Sequence, residues 1–266
     1  KAVDNVDMHI RAGERLVLAG PSGAGKTTLL AMIATLLPPS AGIVNVDGFQ
    51  LNRENYAIRG RIGVVFEEGL LDDRLTVREN LRVRSSFYGL RGSEIDEAVA
   101  RASDVTGLSS LLGVRYGRLD EANRRRADIT RALLNDPALV LLDDPVRGLD
   151  AEASSAVMAL VARLTDVTGT AVLQTTRSFD RLEGADRIAV MDGGRILADG
   201  TPTALVDRYA EDRLRLVPRP DGASRETLTR LLDTEGYRYT AGTSADGPMV
   251  EVAIVNSMGA LLLLNR

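Results

Sequence analysis

Residues Gly20, Pro21, Ser22, Gly23, Ala24, Gly25, Lys26 and Thr27 fit the spacing G-x-x-x-x-G-K-[ST] in full. Glycines in such a loop let backbone N–H groups converge on phosphate oxygens, and a helix opening at Lys26 adds its positive end. Lys26 can reach β- and γ-phosphates, and Thr27 can place its hydroxyl on Mg²⁺. The candidate nucleotide-binding set is Gly20, Ser22, Gly23, Ala24, Gly25, Lys26, Thr27 and Thr28. A second chemical cluster lies in "LVLLDDP". There Asp143, at the end of an apolar strand, can hold the shell of a Mg²⁺ ion, and Asp144 is placed to orient an attacking water.

Those side chains need elements to hold them. Residues 14–19, with the apolar core "RLVLA", read as a strand before the glycine turn. Residues 26–37 read as a helix through Leu29, Leu30, Ile33 and Leu37, stopped by Pro38 and Pro39. "AGIVNVDG" reads as a short strand ending in an Asp-Gly turn. Residues 61–66, 140–142 and 170–176 read as further strands, 70–134 as mainly helical and 151–164 as a helix. "RIAVMDGGRILADG" reads as two strands joined by a Gly-Gly turn. Alternation of strands and helices implies a parallel sheet covered by helices. From residue 206 the pattern changes. "RLRLVP" reads as a strand, 224–235 as a helix capped by Ser224 with Leu228, Leu231 and Leu232 on one face, "PMVEVAIV" as a strand and 257–264 as a helix. That tail reads as a small α+β unit.

Composition narrows the function. The chain has 266 residues, 44% apolar and 26% charged, as soluble globular proteins do. Its net charge of -4 argues against a nucleic-acid partner. The absence of cysteine excludes disulfides, thiolate metal sites and thiol nucleophiles, and agrees with a reducing cytoplasm. The one histidine, His9, precedes the phosphate loop and reads as a surface or strand-edge residue. No apolar run approaches the ~18–20 residues needed to cross a bilayer, and no signal peptide is visible. The sequence starts and stops abruptly, as a piece of a longer polypeptide would.

Residues 1–205 resemble the nucleotide-binding domain of ABC transporters. Beyond the phosphate loop, "IGVVFEEGLLDDRLTVRENL" is similar to the family's Q-loop and its continuation. "RRRADITRALLNDPALVLLDDPVRGLD" is similar to its signature helix, acidic strand and D-loop, ending at Asp150. "RIAVMDGGRILADGTPTAL" is similar to its closing hairpin. The resemblance implies an α/β P-loop NTPase core of ABC type with a helical subdomain at about 70–134, plus the small α+β unit at 206–266. It also implies Mg-ATP as ligand, transmembrane subunits and a second ATP-binding subunit as partners, and a place on the cytoplasmic face of a membrane. The nearest look is to drug-export and ABC-2 exporters.

Four motifs depart from the family pattern. Its Q-loop glutamine falls on Glu67, its catalytic glutamate on Asp144 and its switch histidine on Arg177. Its LSGGQ signature falls on Leu119, Asp120, Glu121, Ala122 and Asn123, with only the leucine kept. Asp144 is one methylene shorter than glutamate, and a misplacement near 1 Å can cost about a hundredfold in rate. Arg177 can neutralise phosphate charge but cannot exchange a proton at neutral pH. Glu67 can still ligate Mg²⁺ while adding negative charge. Asp120 suits a helix N-cap and Glu121 a first turn, where both would repel a phosphate bound across a dimer interface. These departures lead to the expectation of weak hydrolysis, in the regulatory half of a heteromeric pair. The alternatives are a fully active transport ATPase and a soluble ABC-fold protein outside transport.

Replacing Lys26 by alanine is expected to weaken ATP binding by about ten- to a hundredfold, the loss of one charge-assisted contact. Calorimetric titration of both proteins checks it; equal affinities would remove Lys26 from the site.

Overall fold

The segment Arg15–Ala19 is buried at every position and forms strand β1 at the heart of a sheet. A continuous apolar run is what a strand covered on both faces requires. The computed structural model describes residues 1–178, 182, 184–209, 212–216, 225–234, 239–244 and 247–254. The chain divides into two compact units, Lys1–Pro202 and Thr203–Arg266.

In the first unit β1 is followed by α1 (Lys26–Ile33), the hairpin strands β2 (Asn45–Val46) and β3 (Phe49–Gln50), α2 (Asn55–Arg61) and β4 (Ile62–Val65). Helices α3 (Val77–Phe87), α4 (Ser93–Thr106) and α5 (Glu121–Ala132) come next. Then follow β5 (Leu139–Leu142), α6 (Ala151–Thr168), β6 (Ala171–Thr176), β7 (Arg187–Asp192) and β8 (Arg195–Gly200). The six-stranded sheet runs β4-β5-β6-β1-β7-β8. All pairings in it are parallel except the β7–β8 hairpin. One apolar core packs α3–α6 against β4, β5 and β6 through residues such as Leu81, Ile129, Leu142 and Val161. A second packs α1 and α2 on the sheet through Leu18, Leu30, Ile58 and Leu141.

Local chemistry sets several boundaries. Thr76 and Glu79 close a capping box at the start of α3. The turn joining β2 to β3 takes positive φ at both Asp47 and Gly48, as a two-residue hairpin demands. Helix α1 ends at Ile33, short of the expected 37, because Thr35 turns to a φ of 64°. Leu37, read as part of its apolar face, is exposed, as is Leu36. Helix α2 had no counterpart in the sequence reading, and it absorbs Arg61, so β4 starts one residue later than expected. His9 is exposed, and its carbonyl accepts from Arg187 Nη1 at 2.9 Å.

The second unit holds β9 (Asp212–Leu216), α8 (Arg225–Thr234), β10 (Tyr239–Ser244) and β11 (Gly247–Ile254). Its antiparallel sheet runs β10-β11-β9, with Leu232 of α8 and Val250 of β11 buried. Strand β10, "YTAGTS", lacks the alternation that would mark it in sequence. Helix α7 (Pro202–Tyr209) contains the position at which the sequence change had been placed. Ser224 and residues 257–264 lie outside the described residues.

Gly63 of β4 lies against α5 so closely that a Cβ there would overlap the carbonyl oxygen of Ala132. Gly63→Ala is therefore expected to destabilise the fold by about 1–3 kcal/mol, the cost of forcing packed elements apart. A lower urea midpoint at unchanged slope checks it; an unchanged midpoint would mean that α5 can back away freely.

Candidate functional site

The parallel register brings four loops to one edge of the sheet. Val65 pairs with Leu142, Leu142 with Gln174, and Ala19 with Thr176. Residues 20–25, 66–68, 143–144 and 175–177 therefore emerge side by side at the carboxyl ends of β1, β4, β5 and β6. Ligand sites of open α/β sheets form at this edge.

The glycine loop packs tightly beneath. Cβ atoms at Gly20 and Gly25 would overlap the carbonyl oxygens of Met191 and Ala2 respectively. Gly25, with a φ of 104°, occupies the N-cap of α1, where no side chain caps the helix. The first-turn N–H groups are thus left for a ligand, and the helix dipole favours an anion there. A cleft of about 170 Å³ opens above them. Its walls include Ser22, Gly23, Ala24, Gly25, Lys26, Thr27 and Thr28, with Asp143, Asp144, Thr175 and Arg177 opposite.

Lys26 is 7% exposed, and its Nζ donates to the carbonyls of Gly20 and Pro21 at 2.7 and 2.8 Å. Burial pushes its ammonium below the usual lysine range and the Arg177 charge adds to that, against the opposing pull of Asp144 and Asp143. A half-desolvated cation resting on neutral carbonyls suits an anionic ligand. Thr27 Oγ1 donates to Asp143 Oδ1 at 3.3 Å, and Thr175 Oγ1 donates to the same oxygen at 2.7 Å. Thr175 Oγ1 also accepts the backbone N–H of Asp144 at 2.9 Å. One hydroxyl thereby fixes both acidic residues. Mg²⁺ takes oxygen ligands, often only one or two from protein beside phosphate oxygens and waters, and the Thr27–Asp143 pair fits that need. Among the described residues, no three His, Cys, Asp or Glu side chains gather as a metal group.

Asp144 is nearly buried and has a φ of 46°, a conformation that aspartate tolerates better than most residues. Its Oδ2 lies 3.4 Å from Arg177 Nε. Arg177 Nη2 donates to Glu67 Oε2 at 3.3 Å, and Glu67 Oε1 accepts from Arg147 Nη1. Glu67 thus faces two arginines and is not on the wall that carries Thr27 and Asp143, which differs from the expected Mg²⁺ contact. The backbone of that loop is held from α5, where Arg125 donates to the carbonyls of Phe66 and Glu67 at 2.8 and 2.9 Å.

The signature segment sits elsewhere. Asp120 caps α5, accepting from the Asn123 N–H at 2.7 Å and from Asn123 Nδ2 at 2.8 Å. Glu121 is exposed in the first turn and Ala122 partly so. Asp150 caps α6 through the Ala153 N–H at 2.8 Å. None of these five lines the cleft of its own chain. The sequence reading missed Thr175, Arg147 and Arg125. Polar Gln-Thr-Thr at the end of an apolar strand marked Thr175, while nothing local marked the two arginines.

A loop of amides around an uncapped helix end, flanked by a lysine and a Thr–Asp pair, places the first unit among P-loop nucleotide-binding domains of the α/β class. Residues 3–147 match the family described as ABC transporter. The daunorubicin/doxorubicin resistance ATP-binding protein DrrA of Streptomyces peucetius is 36% identical over 88% of this chain and 71% of its own. The Nod factor export ATP-binding protein I of Cupriavidus metallidurans is 34% identical over 99% of this chain and 88% of its own. Among solved structures, the dimeric post-hydrolysis ATP-binding cassette MJ0796 with ADP and Pi is 28% identical, with a TM-score of 0.66 over 75% of this chain and 90% of that one. The chain belongs to the ABC transporter family, as one of its ATP-binding subunits. No helix among the described residues is long and apolar enough to cross a membrane.

Thr175→Val keeps the shape and removes the hydroxyl. It is expected to cost about 1–3 kcal/mol of stability, because a buried carboxylate and a buried N–H each lose a hydrogen bond. It should also weaken the Mg²⁺ dependence of ATP binding. Urea unfolding and calorimetry with and without Mg²⁺ check both, and wild-type values would show that Thr175 fixes neither aspartate.

Proposed function

We propose that this chain drives an exporter by binding and hydrolysing Mg-ATP, docked to transmembrane subunits at the cytoplasmic face of a membrane. The observation that carries the reading is the convergence of the glycine loop, Asp143, Asp144, Thr175 and Arg177 on one cleft. The relatives named above are a daunorubicin/doxorubicin resistance subunit and a Nod factor export subunit, which favours export as the direction of transport. The similar cassette was captured as a dimer with ADP and Pi, which favours closure of two ATP-binding subunits and an active ATPase.

In this reading the α1 amides and Lys26 hold the phosphate chain. Thr27 and Asp143 hold Mg²⁺, which when bound neutralises phosphate charge and orients the oxygens. Asp144 orients the attacking water, and Arg177 takes up charge that develops on the terminal phosphate. Asp120, Glu121, Ala122, Asn123 and Asp150 face the partner subunit's nucleotide.

A second reading is slow hydrolysis, with this chain as the regulatory half of a heteromeric pair. The Arg177–Asp144 contact favours it, because the guanidinium engages the oxygen that would address water. The Asp120 cap favours it too, since its carboxylate takes the N–H that a phosphate would need.

The purified transporter complex separates the two. Active hydrolysis predicts turnover of about 1 per second or more, falling about a hundredfold in Asp144→Asn. Slower turnover by wild type that rises in the double variant Asp144→Glu, Arg177→His would support the second reading instead.

A further inference from the structure

The departures from the family pattern at three strand-end loops touch one another. Arg147, Glu67, Arg177 and Asp144 form a run of alternating charge. Arg147 belongs to the turn after β5, where its backbone N–H donates to the Asp144 carbonyl at 3.0 Å. Glu67 follows β4 and Arg177 follows β6. A single glutamate thus sits between two guanidinium groups, and only one of them, Arg177, lines the nucleotide cleft.

We propose that Arg147 is a positioning residue of the nucleotide site: by occupying one oxygen of Glu67, it limits that carboxylate's hold on Arg177 and so sets how much of the Arg177 fork is left for the terminal phosphate of ATP. The inference rests on the ATP-binding reading and adds a regulator to it. A carboxylate offers two oxygens, and an arginine fork matched to both makes the strong bidentate pair. Here Oε1 is taken by Arg147, so Arg177 reaches Glu67 through a single N–H at 3.3 Å. With Arg147 removed, both oxygens can turn to Arg177, which then competes less well for phosphate. ADP lacks the terminal phosphate and is insensitive to the exchange. Glu67 and the two arginines are each about two-fifths exposed, so each contact is modest and screened by salt.

The test is a double-mutant cycle on the full chain, with ATP and ADP affinities measured side by side by calorimetry. Arg147→Ala is expected to weaken ATP binding by about two- to fivefold and leave ADP unchanged. Arg147→Lys, which keeps a charge on Oε1, retains the wild-type ATP/ADP ratio. In a Glu67→Gln background Arg147→Ala has no further effect, because the competing carboxylate is gone. The proposal is overturned by an unchanged ATP/ADP ratio in Arg147→Ala, by equal losses for both nucleotides, by Arg147→Lys behaving as Arg147→Ala, or by the same loss with Glu67→Gln present. If the wild-type chain bound no ATP, the nucleotide reading would fall and this one with it. ATP binding with a constant ratio across the variants sinks the positioning role alone.

Discussion

Everything at the site depends on the parallel hydrogen-bond register of β4, β5, β6 and β1. The pairings of Val65 with Leu142, Leu142 with Gln174 and Ala19 with Thr176 end these strands together. A slip of one residue in any strand would turn its side chains to the opposite face of the sheet. The burial of nearly every position in these strands makes such a slip costly, because each face is packed against helices. The apolar runs therefore act at a distance, placing polar groups that they never touch.

The helical layer is tied to this edge by arginines as well as by apolar packing. Arg125 and Arg131 of α5 both donate to backbone carbonyls, at Phe66 and Glu67 for the first and Val64 for the second. Gly63 lets the same helix sit directly on β4. The same helix therefore holds both the end of β4 and the loop that carries Glu67.

Much of this was legible in the sequence because the informative patterns are local. The phosphate loop, the strand ending in Asp143 and Asp144, and the Gly-Gly hairpin each occupy a few consecutive residues. The α/β fold of ABC type followed from them, and so did the membership of the family. What stayed hidden depends on long-range contacts. Thr175 matters through partners about thirty residues away. Arg147 matters through Glu67, 80 positions earlier in the chain. Thr35 cut α1 short through a backbone angle that no spacing rule anticipates. The expectation of weak hydrolysis came from comparing single positions with a pattern. The relatives favour the active alternative, and the structure shows three of those positions, Glu67, Asp144 and Arg177, in contact rather than as independent losses.

The tight seating of Gly20 and Gly25 on Met191 and Ala2 has a thermodynamic consequence. A loop seated this closely at both ends has little conformational freedom to lose when a ligand arrives. Preorganisation of this kind raises affinity by lowering the ordering cost of binding. The main rearrangement left is at Lys26, which must exchange two carbonyl contacts for phosphate oxygens. Recognition at this loop therefore turns on one cation that trades neutral acceptors for charged ones.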